Sequence, residues 1–158
     1  MDEQRMILDR FFKNIDELYT NIDCWLNPYE LITTSKEIEL IEEASGAYKA
    51  KELIIHDKNK ETIATIMPIA AWVIGANGRI DLIGKYDKVI IVYLEKEGFF
   101  LSITNKHEEH EKNVPNQLYK GIEKNGWYWI EDSRRGKAHL LNKELFLELL
   151  SEVSDYEF

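Results

Sequence analysis

The feature that most constrains this chain is a run of short strand-like segments, joined by short turns, that begins near residue 48. Residues 51–56 follow a pattern of period two, and the polar residues 57–60 predict a turn before the next strand. Strands are predicted at residues 62–67, 71–76, 79–83, 88–94, 99–104, 127–131 and 138–141. Because parallel pairing needs crossovers of a dozen residues or more, these short turns predict an antiparallel sheet.

Three positions in this region predict a particular backbone geometry. Asn77-Gly78 is the dipeptide best suited to a two-residue turn, so it predicts a hairpin between residues 71–76 and 79–83. Pro68 has no amide to donate to a neighbouring strand and therefore predicts an edge, a bulge or a bend. The continuous apolar run within residues 88–94 predicts a central strand that is covered on both faces.

Both ends of the chain are predicted to be helical. Over about residues 4–20, apolar side chains recur at spacings of three and four, with charged side chains between them. Near the other end, Asn142 can cap a terminal helix whose apolar side chains lie within residues 145–153.

A capping-box pattern predicts a third helix soon after the first. Thr34 and Glu37 have the Thr-x-x-Glu spacing in which hydroxyl and carboxylate satisfy amides of a first helical turn. Ile38 and Ile41 follow at helical spacing, and Gly46 would end the helix. We therefore expect a short helix between residues 34 and 46. Acidic helices would then precede and follow a nearly neutral sheet along the chain.

The length of 158 residues fits one domain, and no composition shift marks a boundary, so we expect a single domain over residues 1–158. The fold class that follows is α+β. It consists of an antiparallel β-meander of about five to seven strands, with N-terminal and C-terminal helices packed mainly on one face.

The net charge of −9 disfavours direct binding to nucleic acid or to an anionic membrane, because both are polyanionic. The acidity is uneven, with −6 in residues 1–50, +1 in residues 51–106 and −4 in residues 107–158. The apolar stretches are too short to span a membrane, the start lacks a signal-peptide pattern, and Cys24 has no second cysteine to pair with. We therefore expect a cytoplasmic protein without a membrane partner.

The strongest candidate binding site is a basic cluster in this acidic chain, preceded by aromatic residues. Its members are Arg134, Arg135, Lys137 and His139, with Trp127 and Trp129 just before them. Arginine suits carboxylate or phosphate, and Trp and Arg are both enriched at protein interfaces. The alternative is a polar hairpin tip that keeps the edge of the sheet soluble, with Trp127 or Trp129 in the core.

A second candidate is Arg79 with Asp81, which alternate with Ile80 and Leu82. The two charged side chains should share one face of a strand while the aliphatic side chains face inward. Such a pair could orient a ligand or a partner's side chain; the alternative is an exposed ion pair that contributes little.

The most metal-like segment is His107-Glu108-Glu109-His110-Glu111. His107, His110 and Glu111 could supply nitrogen and oxygen ligands to Zn²⁺, although the spacing departs from the His-Glu-x-x-His pattern of zinc proteases. The alternative is a solvated loop. No other metal or cofactor motif is recognisable, and we expect no cofactor.

These patterns favour a non-enzymatic module that binds another protein. The partner would be basic, and one concrete form is an immunity or antitoxin-like protein that neutralises a toxin nuclease, since opposite charges speed association. One alternative is a small-molecule or anion-binding domain, with or without enzymatic activity, that uses the hairpin of Arg134, Arg135, Lys137 and His139. A second is metal chemistry at His107 and His110. No nucleophile has a neighbouring base, and the sequence leaves the oligomeric state open.

Overall fold

The computed structural model describes residues 2–96, 122–132 and 136–158. Helix α1 (Glu3–Leu26) ends in a 3₁₀ turn (Asn27–Tyr29) and leads into the strands. The strands are β1 (Ile32–Glu42), β2 (Gly46–His56), β3 (Thr62–Ala70), β4 (Arg79–Gly84), β5 (Lys88–Leu94), β6 (Gly126–Asp132) and β7 (Lys137–Leu140). Helix α2 (Lys143–Ser154) follows. The strand predicted at residues 99–104 lies outside the described residues.

Each strand pairs with the next along the chain, and every pairing is antiparallel. The result is a seven-stranded meander in the described part of the chain, with β1 and β7 at its edges. The predicted α+β class is confirmed.

Helix α1 extends to Leu26, about six residues beyond the predicted end near residue 20. Asp2 caps it by accepting a 2.7 Å hydrogen bond from the amide of Arg5. Ile22 and Leu26 continue the apolar row that contains Leu18, and both are fully buried. Their packing on the core stabilises the helix as far as residue 26.

Helix α2 starts as predicted and packs tightly on the sheet. The Asn142 side chain accepts a 2.8 Å hydrogen bond from the amide of Leu145. A methyl group at Gly84 in β4 would lie 2.3 Å from the carbonyl oxygen of Val153, so only glycine lets α2 approach this closely. The rings of Trp25 and Phe146 lie 5.6 Å apart and join α1 to α2. Both helices therefore cover one face of the sheet, called here the helix face.

The predicted helix between residues 34 and 46 is wrong, because this segment forms β1 and the β1–β2 turn. Thr34 pairs with Ile54, and Glu37 pairs with Lys51. Eleven residue pairs join β1 to β2, and this non-local ladder outweighs a capping box that contributes about 1 kcal/mol. Gly46 does adopt a positive φ of 78°, but at the end of a hairpin turn rather than at a helix stop. The acidity of this segment consequently lies on a strand, not on a helix.

The β1–β2 hairpin buries opposite faces at its two ends. Near β3, Leu53 and Ile55 face the core, whereas farther along β2 the buried side chains are Tyr48 and Ala50, which have the opposite parity. Two-stranded ribbons twist more strongly than wide sheets, and this ribbon is free of β3 beyond Leu53. The twist turns the far end of the hairpin over α1, where Tyr48 packs 5.9 Å from the ring of Phe12.

The predicted two-residue turn at Asn77-Gly78 is also wrong. Strand β3 ends at Ala70, and residues 71–78 form a loop that contains a turn in which the amide of Ala76 donates to the carbonyl of Val73. The amide of Asn77 donates to the carbonyl of Tyr93 at 2.8 Å, so Asn77 extends the pairing with β5 instead of forming a hairpin turn.

Two other predictions for the sheet agree with the structure. The register between β3 and β4 shifts between Pro68 and Ala70, which is the irregularity that a missing amide requires. Ile91 and Val92 in β5 are 1% and 2% exposed although they point to opposite faces, so this strand is covered on both sides.

Candidate functional site

The basic cluster predicted at the β6–β7 hairpin is partly neutralised by an acidic side chain. Glu131 Oε1 lies 2.7 Å from Nε2 of His139 and 3.9 Å from Nζ of Lys137. The ring of His139 stacks on that of Trp129, with the centroids 5.3 Å apart and the planes at 30°. Arg134 and Arg135 lie outside the described residues. The described part of this hairpin therefore offers an anion less positive charge than its basic residues suggest.

Trp127 does not belong to this surface. Its side chain is 6% exposed, and its indole N–H donates a 3.1 Å hydrogen bond to the main-chain carbonyl of Asn14 in α1. This contact ties β6 to α1, so Trp127 has the core role that was the alternative at the sequence level.

Arg79 and Asp81 do share one face of β4, and they form a bidentate pair. Nε and Nη2 of Arg79 lie 2.9 and 3.0 Å from the two carboxylate oxygens of Asp81. Nζ of Lys88 lies 3.5 Å from the same carboxylate. Asp81 is only 1% exposed, so the pair is not the exposed ion pair considered as the alternative.

The structure separates the two predicted sites. Ile80 and Ile91 are a cross-strand pair, as are Ile91 and Trp129, so these three side chains share one face of the sheet. They pack in the core with the apolar residues of α1 and α2, so this face is the helix face. Arg79 and Asp81 have the opposite parity and lie on the other face. The Arg79–Asp81 pair and the Trp129–His139 stack cannot therefore line one pocket.

The predicted metal ligands His107, His110 and Glu111 lie outside the described residues. Across residues 2–96, 122–132 and 136–158, no group of three or more His, Cys, Asp or Glu side chains is arranged to hold a metal ion.

Comparisons with known proteins add no identity. Neither a protein-family model, a curated protein nor a solved structure matches the chain. None of the helices that the structure describes has the length and apolar character needed to cross a membrane. Function therefore has to be inferred from the surface of the molecule itself.

The feature that sequence reasoning missed is a surface at the free end of the β1–β2 hairpin. The carboxylate of Glu42 accepts hydrogen bonds from the amides of Ala71 and Trp72, at 2.8 and 3.2 Å, and from the hydroxyl of Tyr48. One side chain thus fastens the loop after β3 to the hairpin. We call residues 41–43 and 72–74 the hairpin-tip surface.

This surface carries the two most exposed large apolar side chains of the described residues. Ile41 is 77% exposed and Ile74 is 78% exposed. Ile74 occupies the turn between Val73 and Ala76, in which Gly75 has a φ of 83°. The only sequence signal for this turn was Gly75 itself, because nothing local reveals the bond from Glu42.

The surroundings of the hairpin-tip surface are acidic. Glu39 and Glu43 are exposed, and neither has an ion-pair partner within 4 Å among the residues whose positions are described. The neighbouring Glu37 is paired with Lys49 at 3.8 Å. Ile41 alternates with Glu42 in β1, so its side chain points to the side of Glu39 and away from the carboxylate that holds Ala71 and Trp72, whereas Ile74 projects from the turn that Glu42 holds.

Proposed function

We propose that this chain is a protein-binding module that recognises a basic partner through the hairpin-tip surface. The observation that carries the proposal is the exposure of Ile41 and Ile74, 77% and 78%, on two segments that Glu42 fastens together. Fully burying an isoleucine side chain contributes about 1.5–3 kcal/mol. A partner that covers both residues would therefore gain a substantial part of its binding free energy there.

The rigidity of the surface supports the same proposal. Interfaces derive most of their affinity from a few well-packed anchors, and holding these anchors in place before binding reduces the entropy cost. The turn that carries Ile74 is fixed by the bonds from Ala71 and Trp72 to Glu42 at one end and by the bond from Asn77 to Tyr93 at the other.

Charge supports a basic partner. Glu39 and Glu43 lie on either side of Ile41 along the chain, and the chain as a whole carries −9. Complementary charge accelerates association and disfavours acidic competitors. An immunity or antitoxin-like protein that neutralises a basic toxin is one form of such a module, by functional analogy.

The test is an affinity capture that compares three versions of the chain. The parent and Ile32→Lys, a control at a 53% exposed isoleucine at the other end of β1, should each retain one basic protein in stoichiometric amount. The double variant Ile41→Lys with Ile74→Lys should lose it. Recovery of the same protein by all three baits, or of no protein by the parent, would contradict the proposal.

A further inference from the structure

A cavity of about 290 Å³ lies between the first half of α1 and the loop after β3. Of the described residues that line it, the apolar ones include Ile7, Trp72, Val73 and Ile74, and the polar ones are Arg10 and Asn77. Ligand pockets usually hold about 300–1,000 Å³ and combine apolar walls with a few polar groups, so this cavity suits a small ligand.

The loop that forms one wall is held in place by hydrogen bonds. The amides of Ala71 and Trp72 are bound to Glu42, and the amide of Asn77 is bound to the carbonyl of Tyr93. The amide of Ala76 closes the turn by donating to Val73. A ligand would therefore enter a preformed site and would not have to order this loop.

Arg10 is the group in the cavity that can select a ligand. Its side chain is 57% exposed, which places it where the cavity meets solvent. Among the described residues, the carboxylate within 4 Å of Arg10 is that of Glu95, at 3.8 Å, which is longer than a hydrogen bond, and Arg10 forms no side-chain hydrogen bond there. The planar guanidinium has donors in a fork that matches a carboxylate in bidentate geometry.

We propose that this cavity binds a small apolar carboxylate, with its ring or short alkyl chain against Ile7 and Trp72 and its carboxylate on Arg10. A singly charged group fits this single guanidinium in an acidic chain better than a dianionic phosphate does. The site goes beyond the protein-binding function because its polar contact uses Arg10, and residues 72–74 belong both to its wall and to the hairpin-tip surface.

The first experiment is a titration with 3-phenylpropanoate, followed by amide chemical shifts of the ¹⁵N-labelled chain. Shifts should concentrate at residues 7–10 and 71–77. The neutral amide 3-phenylpropanamide and the variant Arg10→Met should each bind at least about tenfold more weakly, because a charge-assisted hydrogen bond is lost. Arg5→Met is the matched control on α1, since Arg5 is paired with Asp9 and does not line the cavity.

Two further variants sharpen the test. Glu95→Gln should tighten binding of the carboxylate, because it removes the competing anion beside Arg10. Ile41→Lys should leave it unchanged, because Ile41 does not line the cavity, so this variant removes one anchor of the protein interface without altering the ligand site. No shifts at millimolar 3-phenylpropanoate, equal binding of acid and amide, or no effect of Arg10→Met would overturn the proposal.

Discussion

The backbone amide of Ala71 donates a 2.8 Å hydrogen bond to the side-chain carboxylate of Glu42, 29 residues earlier in the chain. The same carboxylate accepts from Trp72 and from the hydroxyl of Tyr48. This side chain therefore holds one end of the loop after β3 against the hairpin. Both the proposed protein interface and the cavity wall depend on it.

Replacing Glu42 by alanine should loosen this loop. Hydrogen bonds to a charged group contribute about 1.5–3 kcal/mol each. Ala71 is buried but Trp72 is half-exposed, so water can replace part of the loss at Trp72, and we expect a net loss of about 2 kcal/mol. Chemical denaturation measures the loss, and amide hydrogen exchange at Ala71 and Trp72 should become faster. Glu43→Ala is the control, since Glu43 is exposed and binds neither amide. Equal exchange in the two variants would contradict the role of Glu42.

Stability should fall at alkaline pH because folding raises the pKa of Tyr19, Tyr48 and Tyr93. The pKa of Tyr19 is raised mainly by burial and to a smaller extent by the charge of Glu52. The pKa of Tyr48 is raised mainly by burial and to a smaller extent by its hydrogen bond to Glu42. Above the ordinary tyrosine pKa near 10, the unfolded chain loses these protons while the folded chain keeps them. The free energy of unfolding is therefore unaffected by these groups below about pH 10 and decreases above it.

Urea denaturation at pH 8 and pH 11 measures this decrease, which should be smaller in Tyr48→Phe than in the parent. An identical decrease in the two proteins would show that Tyr48 is not responsible.

The buried pair in β4 should be structural. Asp81→Ala removes two hydrogen bonds from a carboxylate that is 1% exposed, so we expect a loss of about 3 kcal/mol in unfolding free energy. Lys88→Ala removes a 3.5 Å contact from a side chain that is 56% exposed and should cost less than about 1 kcal/mol. Similar small losses in both variants would mean that Asp81 is not held as the structure shows.

Gly84 should tolerate no side chain. In Gly84→Ala the new methyl group would lie 2.3 Å from the carbonyl oxygen of Val153, so α2 would have to move, at a cost of about 3 kcal/mol. Gly46→Ala is the comparison, since that position has open space and only the strain of its positive φ, about 1–2 kcal/mol. Thermal unfolding of the two variants distinguishes a clash from strain, and a smaller loss at Gly84 than at Gly46 would count against the packing of α2.

Local patterns predicted the parts of this fold that depend on local forces. The amphipathic spacing of α1, the Asn142 cap and the irregularity at Pro68 all follow from the residues concerned. The segment from Thr34 to Gly46 was predicted incorrectly because its capping box competes with an eleven-pair ladder that only the partner strand reveals.

The candidate sites show the same division between local and distant causes. Alternation placed Arg79 and Asp81 on one face, but their burial depends on strands that the pattern does not position. The hairpin-tip surface escaped prediction entirely, because Glu42 and Ala71 meet only after the ribbon twists over α1.

The central claim is that Ile41 and Ile74 anchor a basic partner, and calorimetry with the captured partner tests it most directly. Ile41→Ala and Ile74→Ala should each raise the Kd at least about tenfold, with binding weakened further by added salt, whereas Ile32→Ala should leave the Kd unchanged. A Kd that is the same in all three variants, or that changes only in Ile32→Ala, would contradict the assignment of this surface.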